Sequence, residues 1–201
     1  LESSLDDFII KSFDNDVLRK KYEELEFYAL LKQLVDTGDS LQNDKIDKKY
    51  ITVKSLKSLK QLMKDLEQSD ILSIDLETTS VDPMTAEIVG ISLSLQPDTG
   101  FYIPILYPEK KNNNFGDDDL NVALSLLKEM LENSKVKKVG QNIKYDSLIF
   151  SRFGINITGI YFDTMIAAHI LNPSARSYKL DALSLEYLNY TMVPIEDLIG
   201  K

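Results

Sequence analysis

No cysteine occurs among the 201 residues, and His169 is the only histidine. Disulfides, thiolate zinc sites and cysteine nucleophiles are therefore excluded. A zinc site built on several histidines is excluded too, and a Ser-His-Asp triad would have to use His169. No stretch approaches the roughly 18 apolar residues of a membrane span, so no membrane is expected as a partner. Leu1–Asp7 is acidic and lacks an apolar run, so it reads as neither a signal nor a transit peptide. Positive charge is also short: 23 Lys and Arg face 32 Asp and Glu, a formal net charge of -9. That balance disfavours broad non-specific binding to duplex nucleic acid. It leaves room for a nucleic-acid enzyme, because bound metal ions neutralise local acid.

What is present is a core. Hydrophobic residues make up 43% of the chain, enough for one ordinary domain and a small appendage. Residues 1–47 are rich in Asp, Glu, Lys and Leu. Val17–Leu31 has apolar residues at helical spacing, with Asp14 or Asn15 placed to cap it. Two short helices are expected before Thr37-Gly38-Asp39-Ser40 breaks the pattern. From residue 48 the pattern changes. Tyr50–Val53 reads as a strand, Ser55–Leu66 as a helix and Ile71–Glu77 as a strand. Ile88–Leu95 and Phe101–Leu106 read as a hairpin around Gln96–Gly100. Lys110–Asn114 reads as a solvated loop. Asp117–Glu132 reads as a helix, Val136–Val139 as a strand, and helices follow at 143–153, 164–171 and 180–188. This order predicts an α/β fold with a mixed sheet flanked by helices, plus a small N-terminal helical appendage.

Ile71–Thr79 is the most informative segment. Side chains alternate faces along a strand, so Asp75 and Glu77 point one way, and Ile74 and Leu76 the other. Two adjacent carboxylates repel, and burying them unpaired is costly. A hard divalent cation is the commonest reason to keep such a pair.

A second group of residues is Val139-Gly140-Gln141-Asn142-Ile143-Lys144-Tyr145-Asp146. A strand ends, Gly140 allows a tight approach, and Asn142 is placed to cap the next helix. Asp146 lies on the first full turn of that helix and looks back over the strand end. Asp163 reads as the cap of the following helix and His169 as a structural residue. Lys20-Lys21 and Lys110-Lys111 read as solvated charges.

Asp75-x-Glu77, then Gly140-Gln141-Asn142-x-Lys144-Tyr145-Asp146, then Phe162-Asp163-Thr164-Met165 and Leu171-Asn172-Pro173 together carry a resemblance. The chain resembles the 3′–5′ proofreading exonuclease domain of family A DNA polymerases, the bacterial DNA polymerase I type. The resemblance covers about residues 48–201. Residues 1–47 resemble the segment that joins the 5′ nuclease to the exonuclease in such polymerases. The Asn-, Lys- and Ile-rich usage resembles that of apicoplast members, which implies a soluble plastid protein.

This resemblance implies a ribonuclease H-like fold and two-metal hydrolysis at the 3′ end of single-stranded DNA. It implies two divalent cations, Mg2+ with Mn2+ able to substitute, and a polymerase domain in the same parent chain. By the family pattern Asp75 bridges the two ions, about 4 Å apart. Glu77 serves the ion on the side of the attacking water, and Asp146 the ion on the side of the leaving 3′-oxygen. Gln141, Asn142, Tyr145, Val81 and Thr78 fall where the family contacts the bound strand. Asn142 is a cap first and a contact second, and Tyr145 is equally placed to pack. Val81 stands where the family has a larger apolar wedge against the terminal base, and Leu76 where it often has threonine. The pattern also includes a Tyr-x-x-x-Asp helix, which the 201 residues do not contain. Three of four acids are therefore present, a domain cut before its last motif is implied, and these residues alone are expected to be weakly active or inactive. Asp163 and Asp181 are the remaining acids to consider as a fourth ligand. Two other readings stand beside this one: a free-standing exonuclease of the same superfamily acting on RNA ends, and a non-catalytic structural module of a polymerase.

Overall fold

The computed structural model describes residues 13–25, 27, 30, 31, 33, 34, 48–67, 69–107, 112, 113, 115, 117–188 and 190–193. The chain forms two compact units, residues 46–180 and residues 1–45 together with 181–201. In the second of these, α1 spans Asn15–Glu24. Asp14 caps it, its Oδ1 accepting the N–H groups of Asp16 and Val17, both at 3.1 Å. The other helix expected before residue 37 lies largely outside the described residues. The last helix of the chain, Leu180–Leu188, matches the expected span.

The larger unit is built on a mixed six-stranded sheet. Its strands are β1 (Lys49–Thr52), β2 (Ile71–Thr78), β3 (Ile88–Gln96), β4 (Thr99–Pro104), β7 (Lys137–Gly140) and β8 (Ile160–Asp163), in the order β1-β4-β3-β2-β7-β8. β2–β3–β4 run antiparallel, and β1, β7 and β8 add parallel neighbours. Its helices are α2 (Leu56–Glu67), α3 (Asp117–Leu131), α4 (Ile143–Arg152) and α5 (Thr164–Leu171); α6 (Leu180–Leu188) belongs, from Asp181 on, to the smaller unit.

Three details differ from the sequence reading. β4 starts at Thr99 rather than 101, because Asp98 takes a left-handed φ of 61° and closes the β3–β4 turn within two residues. Asn112 and Asn113 are not loop. They form β6 and pair with β5 (Leu106–Tyr107) as a small separate ribbon. β8 was hidden because its four residues have no alternation to reveal them; Ile160, Tyr161 and Phe162 are all exposed.

The core lies on one face of the sheet. Leu72, Ile74 and Leu76 of β2 and Ile91 and Leu93 of β3 are buried there. α2 covers them with Leu59, Leu62 and Leu66, and α3 with Ala123, Leu127 and Leu131. Each such large aliphatic side chain contributes about 1.5–3 kcal/mol relative to exposure. Lys138 is wholly buried on this side as well, its Nζ donating to Asn133 O at 2.5 Å. Burial pushes its pKa down.

Candidate active site

The β2–β3–β4 register sets out the face opposite the core. Ser73 pairs with Ser94, and Asp75 with Ser92. Ser73, Asp75 and Glu77 are exposed, while Leu72, Ile74 and Leu76 are buried. The alternation expected from sequence thus places both carboxylates on the polar face.

β7 pairs with β2 through Ile71, Leu72 and Ser73. No further pairs follow, so the last residues of β2 have no strand beside them on that edge. The start of α4 fills this place. Gly140 makes the approach possible, since a Cβ there would stand 3.0 Å from the Ile74 carbonyl oxygen. Asp146 then arrives from the first turn of α4 and is only 2% exposed. Two backbone N–H groups, its own and that of Leu76, act on its carboxyl and favour the charged form.

The electrostatics tie the three acids together. The Asp146 pKa is pushed up to about 7, first by burial and then by Asp75, against the pull of the two N–H groups; Asp163 adds a smaller upward push. Asp75 still meets solvent at its edge, yet its pKa is pushed up to about 6, first by lost hydration and then by Glu77. Asp75 is therefore common to two repelling pairs. None of the three carboxylates has an ion-pair partner among the described residues. Also among the described residues, no group of three or more acidic or histidine side chains is set to hold a metal ion as it stands. The donor chemistry nevertheless fits divalent cations: hard oxygen donors, shared negative charge and no basic residue to neutralise it.

Asn142 occupies the N-cap position of α4 but its side chain makes no capping bond. Its backbone is left-handed, φ 57° and ψ 41°, whereas a capping side chain needs an extended backbone. Asp163 does the capping instead. Its Oδ1 accepts Asn142 N–H at 3.1 Å and its Oδ2 accepts Ile143 N–H at 2.8 Å. The same Oδ1 caps α5 through Met165 N–H at 2.9 Å and Ile166 N–H at 3.2 Å. One carboxylate thus satisfies four backbone donors on two helices. Asp181 bonds its neighbour Ala182 N–H at 2.8 Å.

The other expected contacts are braced by the protein. Gln141 Nε2 donates to Tyr178 O at 2.7 Å, and its Oε1 accepts from the Thr164 hydroxyl. Tyr145 Oη donates to Ser80 O and meets Thr78 Oγ1 at 2.8 Å. Thr78 Oγ1 also reaches Ser80 O, at 3.1 Å. Among the described residues the Asn142 side chain has no hydrogen-bond partner, and Val81 is 93% exposed. His169 packs edge-on against Tyr178, ring centroids 5.1 Å apart. Sequence reading missed Arg152, which holds the loop after β2 through the carbonyls of Pro83 and Ala86. Nothing in the sequence signals a side chain whose partners are backbone oxygens of a distant loop.

A family model described as a 3′–5′ exonuclease, that of A-type DNA polymerases, matches residues 50–201. The DNA polymerase I of Borreliella burgdorferi is 33% identical over 196 residues, covering 96% of this chain and 21% of that protein. The DNA polymerase I of Pseudomonas aeruginosa is 29% identical, covering 90% and 20%. This chain thus spans about a fifth of the curated relatives' length. Among solved structures, Escherichia coli RNase D, an exoribonuclease involved in structured RNA processing, aligns with a TM-score of 0.57 at 18% identity over 74% of this chain and 36% of that one. Brucella melitensis NrnC aligns with a TM-score of 0.53 at 20% identity over 73% and 62%. These two establish the fold, a ribonuclease H-like mixed sheet flanked by helices.

Proposed function

The chain belongs to the 3′–5′ exonuclease family of A-type DNA polymerases, and on that premise we propose that Asp75, Glu77 and Asp146 form the site that trims a DNA 3′ end. The observation that carries this reading is the sharing of Asp75 between two repelling acid pairs, with Asp146 2% exposed beside the strand that carries Asp75 and Glu77. Uncompensated negative charge at a strand end is what a pair of divalent ions would relieve. Asp75 and Glu77 would hold one ion, and Asp75 and Asp146 the other. Two divalent cations, Mg2+ or Mn2+, bound there would supply positive charge for both the entering and the leaving oxygen of an in-line displacement.

In the net reaction a water oxygen bonds to phosphorus and the P–O3′ bond of the last phosphodiester breaks. The proton ends on the leaving 3′-oxygen, and a nucleoside 5′-monophosphate departs. The chain's own residues orient the strand. Asn142, whose amide has no partner among the described residues, contacts the nucleotide. Val81 meets the terminal base. Thr78, Tyr145 and Gln141 act mainly as braces, because the polar groups of each are engaged within the protein. A single strand suits the net charge of -9 better than a duplex does, since stacking contacts accept any base. A mismatched end frays and offers such a strand.

Among the described residues no helix is long and apolar enough to cross a membrane. The relatives are DNA polymerases, which supports a polymerase domain in the same parent chain, with residues 1–47 as the junction preceding the exonuclease. The resemblance to apicoplast members is what supports a plastid location. The test is metal-dependent degradation of 5′-labelled single strands ending in deoxyribose or ribose. Faster loss of the DNA end supports proofreading. Faster loss of the RNA end supports an RNA-end exonuclease. No degradation of either by a polymerase carrying these residues supports a structural module.

A further inference from the structure

Between β2 and β3 the chain makes an excursion, Thr79–Glu87, that is internally bonded. Its neck is closed by Thr79 N–H to Glu87 O at 3.1 Å and Glu87 N–H to Thr79 Oγ1 at 3.0 Å. Asp82 organises the tip: its carbonyl accepts Ala86 N–H at 2.9 Å, and its Oδ1 accepts Met84 N–H at 2.9 Å. Ser80 Oγ accepts Asp82 N–H at 3.1 Å. A loop this ordered has a defined surface, yet two apolar side chains on it face water. Val81 is 93% exposed and Met84 66%.

The loop is also fastened from outside, and every fastening from α4 comes from the helix that carries Asp146. At its start, Tyr145 donates to Ser80 O. At its end, Arg152 Nη1 donates to Pro83 O at 2.9 Å and Ala86 O at 2.7 Å. Tyr145 and Arg152 are two helical turns apart, about 10 Å along the axis. Arg152 has no carboxylate partner among the described residues, so its charge is spent on these two carbonyls. Hydrogen bonds from a charged donor are stronger than neutral ones. The loop and the start of α4 are thereby held as one body, with the exposed apolar pair at a fixed offset from Asp146.

Resting on the proposed trimming of a DNA 3′ end, we propose that Met84 joins Val81 as the apolar rest for the terminal base, and that Arg152 is a positioning residue that fixes this rest relative to Asp146. Valine alone offers little area to a base. Methionine, unbranched and polarisable, adds area and makes favourable contacts with aromatic faces of any identity. The scissile phosphate and the last base are joined by a sugar of fixed length. A rest held to the metal-ligand helix therefore selects strands whose last base has left its partner.

The test uses the 201-residue chain with EDTA, so that no cleavage intervenes, and a short single-stranded DNA carrying 2-aminopurine. Wild-type protein is expected to change the fluorescence when the probe base is 3′-terminal and not when it lies in mid-strand. Met84→Ala should lose that change and weaken binding about tenfold, at the low end of what burying a methionine side chain contributes. Arg152→Ala should lose the change although Arg152 touches no base, and Arg152→Lys, which keeps a donor, should restore part of it. Melting temperatures identify a variant that fails to fold; should Arg152→Ala be one, Met84→Ala and Arg152→Lys decide. A wild-type signal that survives both Met84→Ala and the Arg152 substitutions overturns this inference alone. A wild-type chain that responds equally to mid-strand and terminal probes overturns the reading of the site as a 3′-end site.

Discussion

The backbone N–H of Leu76, the one residue that separates Asp75 from Glu77, pulls the pKa of the Asp146 carboxyl down. That contact sets the third acid beside the first two. It exists because β7 stops pairing with β2 at Ser73, leaving room beside the last residues of β2. It also explains the charge. Asp146 is anchored by amides yet buried beside another carboxylate, and burial prevails: its pKa stands near 7 rather than below 4.

A pH dependence of stability follows. The folded pKa of Asp146, about 7, lies above its ordinary value of 3.8. The folded state therefore holds the proton more tightly, and stability falls as pH rises from about 4 to 7. Asp146→Asn keeps an acceptor for the Leu76 N–H and removes the charge. Its melting temperature should exceed that of the wild type by about 5 °C at pH 8 and converge with it near pH 4. Equal melting curves at pH 8 would show that the carboxyl is not held in this environment.

Divalent ions should act in the same direction. Adding Mn2+ at pH 8 should raise the melting temperature of the wild type, because binding to the folded state alone stabilises it. The rise should vanish in Asp75→Asn/Glu77→Gln, whose amides keep the shape and lose the charge. Equal rises in both proteins would place the ions elsewhere.

Asp163 carries a separate expectation. Its carboxylate satisfies N–H groups of Asn142, Ile143, Met165 and Ile166. Loss of a single cap costs about 0.5–2 kcal/mol, so Asp163→Ala, which removes two, should destabilise by about 1–4 kcal/mol in urea. A loss under about 0.5 kcal/mol would mean that water replaces the carboxylate at both helices.

The acid pair was legible because period-2 alternation in Ile71–Glu77 needs only local sequence. Helix α5 was legible for a similar reason: Asp163 precedes it and Asn172-Pro173 ends it. The second role of Asp163 was not, since its partners lie 20 and 21 residues upstream and meet it only after β7 and β8 pair. Asn142 looked like a side-chain cap because its type suits one. Its left-handed backbone, which asparagine tolerates, was set by the tight turn after Gly140 and is invisible in the sequence. Tyr145 was ambiguous between packing and contact until its phenol was found on Ser80 O. The rule across these cases is physical. Bonds within one element are written in the local pattern, and bonds between elements depend on where the sheet places them.

The most direct measurement is the 3′–5′ degradation of a 5′-labelled DNA strand by a polymerase that carries these residues, with Mg2+ or Mn2+. Wild type should shorten the strand from its 3′ end, one nucleotide at a time, releasing nucleoside monophosphates. Asp75→Asn/Glu77→Gln should slow this by about a thousandfold or more while DNA synthesis stays near its normal rate. A doubly substituted enzyme that still trims mismatched ends at the wild-type rate would contradict the assignment of these acids.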